Sequence, residues 1–209
     1  VLVESGSLRQ AGDRVELSEG FRLDAIPATL QDLLLARLNR MKSAPEVSQM
    51  AATLGRDFSY ELSHAVLDLD EPALQGELAK LVGAEILFQK GRPPRCNYTF
   101  KHALIQDAAY QSLLKKTRQQ FHKKIATVLE TKFAETAVMQ PELLAHHFTE
   151  AGLYEKGASY WRKAGLRSQE RSDNKEAIGH FTRGLEILKN LDESPARDRL
   201  ELGLQAPLG

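Results

Sequence analysis

Leu30, Leu33, Leu34, Leu35 and Leu38 recur at helical spacing behind Pro27, a residue suited to a first helical turn, and predict an amphipathic helix running to about Met41. A second helix is expected from Ser43, a candidate N-cap, with Val47, Met50, Ala51 and Leu54 on a narrow inward face and Gly55 as its stop. A third, short helix opens at Ser59 and carries Leu62, Ala65 and Val66. A fourth opens at Asp70, with Pro72 in its first turn and Leu74, Leu78 and Leu81 as its stripe up to Gly83. Ahead of all four, Leu8, Val15 and Leu17 flank Ala11-Gly12-Asp13 and predict a small hairpin.

The period then changes. Residues 85–90 (EILFQK) and 96–100 (CNYTF) are separated by Gly91-Arg92-Pro93-Pro94-Arg95, too proline-rich for helix, and predict two strands joined by a turn. Helical spacing resumes at His102, with Leu104, Ile105, Ala108, Ala109 and Leu113 as the buried stripe, and again from Thr117 to Phe133. Beyond that the pattern is helical to Leu191, with breaks expected near Glu135–Gln140, at Gly152 and around Ser172–Asn174; a last helix is expected from Ala196 to Leu204.

Helices followed by a two-stranded hairpin are the order of a winged-helix module. Closely spaced helix pairs point to a repeat, and Trp161, Gly165, Ala177 and Phe181 follow one another as Trp, Gly, Ala and an aromatic do in the tetratricopeptide signature. The physical reason is packing: the small residues let antiparallel helices approach, and the two aromatics fill the gap to the neighbouring pair. The stretch 118–152 has the length of one repeat but matches the signature poorly. The expected fold class is therefore mainly α: a leading segment over 1–26, a winged-helix-like module with a small β-hairpin wing over 27–115, and tetratricopeptide-like antiparallel helix pairs, an α-solenoid, over 116–209.

Composition narrows the functions this fold could serve. The chain has 209 residues, of which 42% are hydrophobic and 27% charged, enough apolar material for two ordinary cores. Its 28 basic and 28 acidic residues cancel, so no global field draws in nucleic acid or an anionic membrane. Cys96 is the single cysteine and cannot close an intramolecular disulfide, which fits a reducing, cytoplasmic setting. No run approaches the ~20 apolar residues of a membrane span. The opening VLVESG has neither an initiator Met nor a signal-peptide pattern, so the chain is expected to begin within a longer protein, and its end likewise reads as a cut.

Catalytic motifs are missing from the sequence. Neither GxxxxGK[ST] nor GxGxxG occurs, Ser59 and Ser63 lack the flanking glycines of a nucleophile elbow, and Asp68, Asp70 and Glu71 read as a solvated loop and helix cap. Adjacent His146 and His147 project about 100° apart on a helix and belong to no HExxH, so no metal site is expected. The fragment is thus expected to be no enzyme and to hold no cofactor or metal of its own. DNA binding is the rival reading, because the expected wing carries Lys90, Arg92, Arg95 and Lys101. Charge argues against it: residues 27–115 hold ten Lys and Arg against ten Asp and Glu, and the short helix from Ser59 to Leu67 has Glu61 but no Lys or Arg.

Three runs carry a family resemblance: IPATLQDLLLARL from Ile26 to Leu38, YTFKHALIQDAAY from Tyr98 to Tyr110, and PELLAHHF from Pro141 to Phe148. They resemble the region that follows the ATPase core in bacterial AAA-type regulators of the signal-transducing STAND class, most closely those fused to class III adenylate or guanylate cyclase domains. The resemblance covers nearly the whole chain. It implies an ATP- or ADP-binding core upstream, with residues 1–26 as the end of its helical lid, and two partners: that core, and a protein or peptide on the groove of the repeats. It further implies a role for His102. In related proteins a histidine of the winged-helix domain, at a strand-to-helix junction, contacts the β-phosphate of bound ADP and holds the inactive state, and His102 stands at the matching place.

Overall fold

The computed structural model describes residues Leu8–Ala11, Arg14–Leu17 and 45–208. Strands β1 (Leu8–Ala11) and β2 (Arg14–Leu17) pair antiparallel with Leu8 opposite Leu17 and Ala11 opposite Arg14, as the expected hairpin requires. The expected helix from Pro27 to Met41 and the Ser43 cap lie outside the described residues.

Helix α1 (Pro45–Leu54) ends before Gly55, whose φ of +127° is one that L side chains rarely adopt. Its buried surface is wider than the spacing of its large apolar residues predicts: Ser48, Ala52 and Thr53 are buried as well. The two hydroxyls make this possible by donating back to the chain, Ser48 Oγ to the Pro45 carbonyl at 2.8 Å and Thr53 Oγ1 to the Gln49 carbonyl at 2.8 Å.

Strand β3 (Asp57–Ser59) follows, then α2 (Tyr60–Val66) and α3 (Glu71–Gly83). Ser59 ends the strand and caps the helix, its Oγ accepting from the Leu62 N–H, and Asp70 caps α3 by accepting from the Ala73 N–H at 2.8 Å. Strands β4 (Leu87–Arg92) and β5 (Arg95–Phe100) complete an antiparallel sheet of order β3-β5-β4. Strand β3 was not legible in the sequence, since three residues offer too short an alternation; Phe58 nonetheless stacks on Tyr98 across the pair at 5.6 Å between ring centroids.

Helix α4 (Ala103–Gln111) buries Ile105, Ala108 and Ala109, but Leu104, expected in that stripe, is 55% exposed. Helix α5 (Lys115–Lys132) begins two residues earlier than expected, and the expected break near Glu135–Gln140 is a short helix, α6 (Ala134–Met139). Helices α7 (Pro141–Glu150), α8 (Tyr154–Glu170), α9 (Asn174–Leu188) and α10 (Pro195–Gln205) complete the order, followed by a 3-10 turn over Ala206–Leu208. Among the described residues the chain is mainly helical, with one small three-stranded sheet in addition to the β1–β2 hairpin.

One large apolar core runs from Val47 on α1 to Ala164 on α8, and a smaller one joins Ala158, Ala177, Phe181, Leu188 and Leu204. Consecutive helices α7, α8 and α9 pack on one another, and α10 packs on α9 and α8. At the α8–α9 contact Gly165 lies flat against the Phe181 ring: a Cβ there would come within 2.6 Å of Phe181 Cδ1 and Cζ. Gly179, on the exposed side of α9, has nothing within 4 Å of such a Cβ. Two chemically identical substitutions therefore have opposite signs. Gly165→Ala is expected to lower stability by about 1–2 kcal/mol, overpacking outweighing the better helix propensity, whereas Gly179→Ala is expected to raise it by about 0.5–1 kcal/mol. Urea unfolding followed by circular dichroism measures both.

Candidate functional site

His102 sits between the end of β5 and the first residue of α4. Its backbone is extended (φ −132°, ψ 128°), its carbonyl accepts from Ile105 N at 3.1 Å and Gln106 N at 3.4 Å, and its side chain makes no capping hydrogen bond. The imidazole is exposed, and so are its neighbours Lys101, Ala103 and Leu104. Lys101 Nζ reaches Glu85 Oε1 at 3.3 Å, which ties the junction to the loop before β4. Helix α4 is held beneath by Gln106 Nε2, which donates to the Ala52 carbonyl on α1 at 3.2 Å. His102 thus occupies a rigidly supported, outward-facing corner where the first N–H groups of a helix also point outward, an arrangement that favours an anion.

The four residues read as repeat packing meet at the α8–α9 contact. Phe181 and Ala177 are buried in the smaller core and Gly165 faces Phe181, while Trp161 spans to α7 as well: its indole N–H donates to Thr149 Oγ1 at 3.1 Å and its ring stacks on His180. Between α6, α7 and α8 lies an open cleft of about 370 Å³ lined by Ala137, Val138, Pro141, Tyr160, Lys163, Leu166, Arg167 and Glu170. Arg167 closes one end by donating to the Val138 carbonyl at 3.2 Å, and the Lys163 ammonium lies 4.2 Å from the Tyr160 ring centroid.

A third constellation escaped the reading by motif. His122 on α5, 1% exposed, and His147 on α7, 2% exposed, face each other with Nδ1 to Nδ1 at 2.8 Å. On its other side His122 Nε2 is 2.9 Å from the Tyr110 hydroxyl on α4, and His146 lies at the solvent edge with its ring edge-on to His122. Two nitrogens bound to one tetrahedral zinc would stand about 3.3 Å apart, so the 2.8 Å contact is a hydrogen bond between rings. Among the described residues no group of three or more His, Cys, Asp or Glu is placed to hold a metal ion.

Neutral imidazole carries one N–H, so one Nδ1 donates and the other accepts, and the Tyr110 hydroxyl takes the role His122 Nε2 leaves open. Burial, reinforced by His146 and the Arg118 guanidinium, pushes His122 down to about 3. Burial likewise holds His147 well below the usual imidazole range, with His122 and His146 adding to it. Burial raises the Tyr110 phenol, and the Glu150 carboxylate raises it further. The sequence did hold a signal: His122 is one helical turn from Ile125 and Ala126, and His147 is three residues after Leu144, so each stands on its helix's apolar stripe. Removing the hydroxyl with Tyr110→Phe leaves a buried imidazole nitrogen without its partner and is expected to cost about 1–2 kcal/mol, measured as a fall in the urea midpoint at pH 7.5.

Comparison with known proteins returns one informative likeness. The chain is 30% identical over 198 residues to an uncharacterized protein of Rhizobium meliloti (strain 1021), an alignment covering 94% of this chain and 19% of that protein. The chain therefore spans about a fifth of that relative's length. No family model matches the chain, and no solved structure does.

Proposed function

We propose that this chain is a non-catalytic regulatory and protein-interaction region of a bacterial signalling ATPase of the STAND class, working in the cytoplasm, and that it couples the nucleotide state of an ATPase core to partner binding by helical repeats. The observation that carries this reading is the position of His102: exposed, at a strand-to-helix junction, with a side chain that makes no capping hydrogen bond, and backed by a helix pinned to α1. An imidazole there can meet a phosphate of ADP held by another domain. The element order α1-β3-α2-α3-β4-β5 with sheet order β3-β5-β4 supports treating this part as a winged helix. The close approach at Gly165 and Phe181 supports treating the later helices as tetratricopeptide-like pairs. The greater length of the Rhizobium relative leaves ample room there for further domains. A cyclase as the output domain rests on the resemblance of the three sequence runs alone.

In this reading the repeats take the partner. The cleft beside α8 offers apolar walls from Val138 and Leu166 with Lys163 and Arg167 at its rim, a surface suited to an apolar side chain flanked by an acidic one. Exchange of ADP releases the contact at His102 and frees the repeats to reorient, a two-state change driven by a contact present in only one state.

The DNA-binding alternative draws on the exposed wing residues Lys90, Arg92 and Arg95. The helix directly before the wing is α3, not the shorter α2 considered from sequence, and α3 is the one that would face DNA. Its surface carries Glu71 and Glu77, with Lys80 bonded to Glu77 at 2.6 Å, so it brings no net positive charge.

Two measurements test the proposal. In the intact parent protein, His102→Ala is expected to weaken ADP retention by roughly ten- to a hundredfold, the worth of a hydrogen bond to a charged group, and to raise the resting output; unchanged ADP retention and output would refute the nucleotide role. For the present chain, fluorescence anisotropy with duplex DNA is expected to give only weak, non-specific binding. Tight binding that falls by several logs as salt rises would instead favour the DNA-binding reading.

A further inference from the structure

We propose that the Tyr110–His122–His147 chain of hydrogen bonds is an acid-sensitive latch that holds α7 to α5, and through it to α4, while the imidazoles are neutral and releases it when they take up protons. The inference does not depend on the nucleotide role of His102.

The geometry is that of a single polar path through an apolar seam. It runs from the Tyr110 hydroxyl on α4 to His122 Nε2 on α5, and from His122 Nδ1 to His147 Nδ1 on α7, at 2.9 and 2.8 Å. Around it lie Ile125, Ala126 and Leu129 of α5 and Leu144, Ala145 and Phe148 of α7, all buried in the same core. A first proton can still be accommodated by the hydrogen bonds. With both nitrogens of His122 donating, Nε2 points its hydrogen at the Tyr110 oxygen and Nδ1 at the unprotonated His147 nitrogen. A second proton cannot, because two N–H groups would then face each other across 2.8 Å.

The surrounding charges do not relieve this. Arg118 of α5 lies over the Tyr110 ring at 4.3 Å and donates to the Tyr110 carbonyl, and its positive charge acts against protonation of His122. From α7, Glu150 acts on His146 and Tyr110, and from α9, Arg183 acts on His146 against it. His146 itself stands edge-on to His122 as a third imidazole. Helix α8 meets α7 here through Trp161 and Thr149. The one carboxylate in the set is exposed and opposed by two guanidinium groups.

The direction follows from linkage. Histidine in an open chain titrates near 6.5, whereas His122 and His147 are held lower in the closed structure. Above pH 6.5 both states are neutral and the latch is at full strength. As pH falls below 6.5 the open state binds protons that the closed state refuses, and opening is favoured about tenfold per pH unit for each histidine protonated. Between pH 6.5 and 5 carboxylates remain mostly ionised, so histidine dominates the change.

Hydrogen exchange on the full 209-residue chain between pH 5.0 and 7.5, corrected for the pH dependence of intrinsic exchange, reads the opening directly. The expected result is that buried amides of α5 and α7 open ten- to a hundredfold more readily per pH unit below 6.5, while those of β5 keep their protection. Two results would overturn the latch: opening that does not change with pH, or a loss spread evenly over β5, α5 and α7. The double variant His122→Gln/His147→Gln, neutral at every pH at these positions, is expected to remove most of the dependence, leaving what His146 contributes, and the exposed His64→Gln is expected to leave it unchanged. Should the double variant not fold, ring-nitrogen NMR of the unaltered chain decides. His122 and His147 are expected to stay neutral in the closed state down to pH 5, and ordinary titration near 6.5 with full amide protection retained would refute the proposal.

Discussion

The inner face of α5 is the constraint on which the rest of this structure depends. His122, Ile125, Ala126 and Leu129 are all buried on it. The helix packs against α1 and α2 on one side and α7 on the other. Because protein interiors are packed as densely as molecular crystals, a helix wedged in this way couples what it touches: a shift of α5 must be answered on both sides. The apolar core accordingly runs without interruption across residues 115 and 116, where the composition of elements changes from mixed to wholly helical. Surface pairs reinforce the joint, Lys124 meeting Asp68 at 2.7 Å and Lys156 meeting Glu130 at 2.7 Å, but exposed ion pairs of this kind add little beside the burial.

Around that joint the chain uses two different packing devices. The sheet side is assembled from large aromatics, with Phe58 stacked on Tyr98 and tilted against Phe100 over a short β3-β5-β4 sheet. The later helices rely on missing side chains instead. Gly165 admits Phe181, and Gly184 admits Leu204, whose Cδ2 would lie 2.6 Å from a Cβ at that position. Large rings locked by their neighbours and helices in near-backbone contact both resist gradual deformation. Movement in such a structure is concentrated where packing is polar or incomplete, which draws attention to the histidine seam and to the exposed corner at His102.

The seam is costly in one respect and specific in another. Three polar rings inside an apolar interface lose hydration that only a complete set of hydrogen bonds restores. The directed Tyr–His–His path adds to the apolar packing of α4, α5 and α7 a set of contacts that is complete in one arrangement of the three helices. The same path makes the contact conditional on protonation, because Arg118 opposes a charge on His122 and, at the neighbouring His146, Arg183 opposes the exposed Glu150.

Local rules carried the reading of this sequence a long way. Leu74, Leu78 and Leu81 announce α3, Asp70 and Ser59 announce helix starts, and the turn around Pro93 and Pro94 announces the β4–β5 hairpin, because each signal lies within a few residues and reports on backbone energetics that the rest of the chain does not alter. Gly165 and Ala177, singled out from the repeat signature, lie where α8 and α9 meet, Gly165 against the Phe181 ring and Ala177 in the smaller core. What failed was non-local. Strand β3 exists because β5 offers it a partner some 40 residues away, and Leu104 is exposed because α4 turns Ile105 and Ala108 toward α1 and the sheet. The histidine chain failed on the same ground. Its members, Tyr110, His122 and His147, lie on three helices with 37 positions between the first and the last, and the apolar stripes on which His122 and His147 stand mark each as buried but not as partners. The sequence by itself determined most of the described helices, α6 excepted, where they stop, and that His102 stands at a strand-to-helix junction; only the tertiary structure decided which polar groups share one buried site, since that choice depends on how separate helices meet and not on any energy local to the chain.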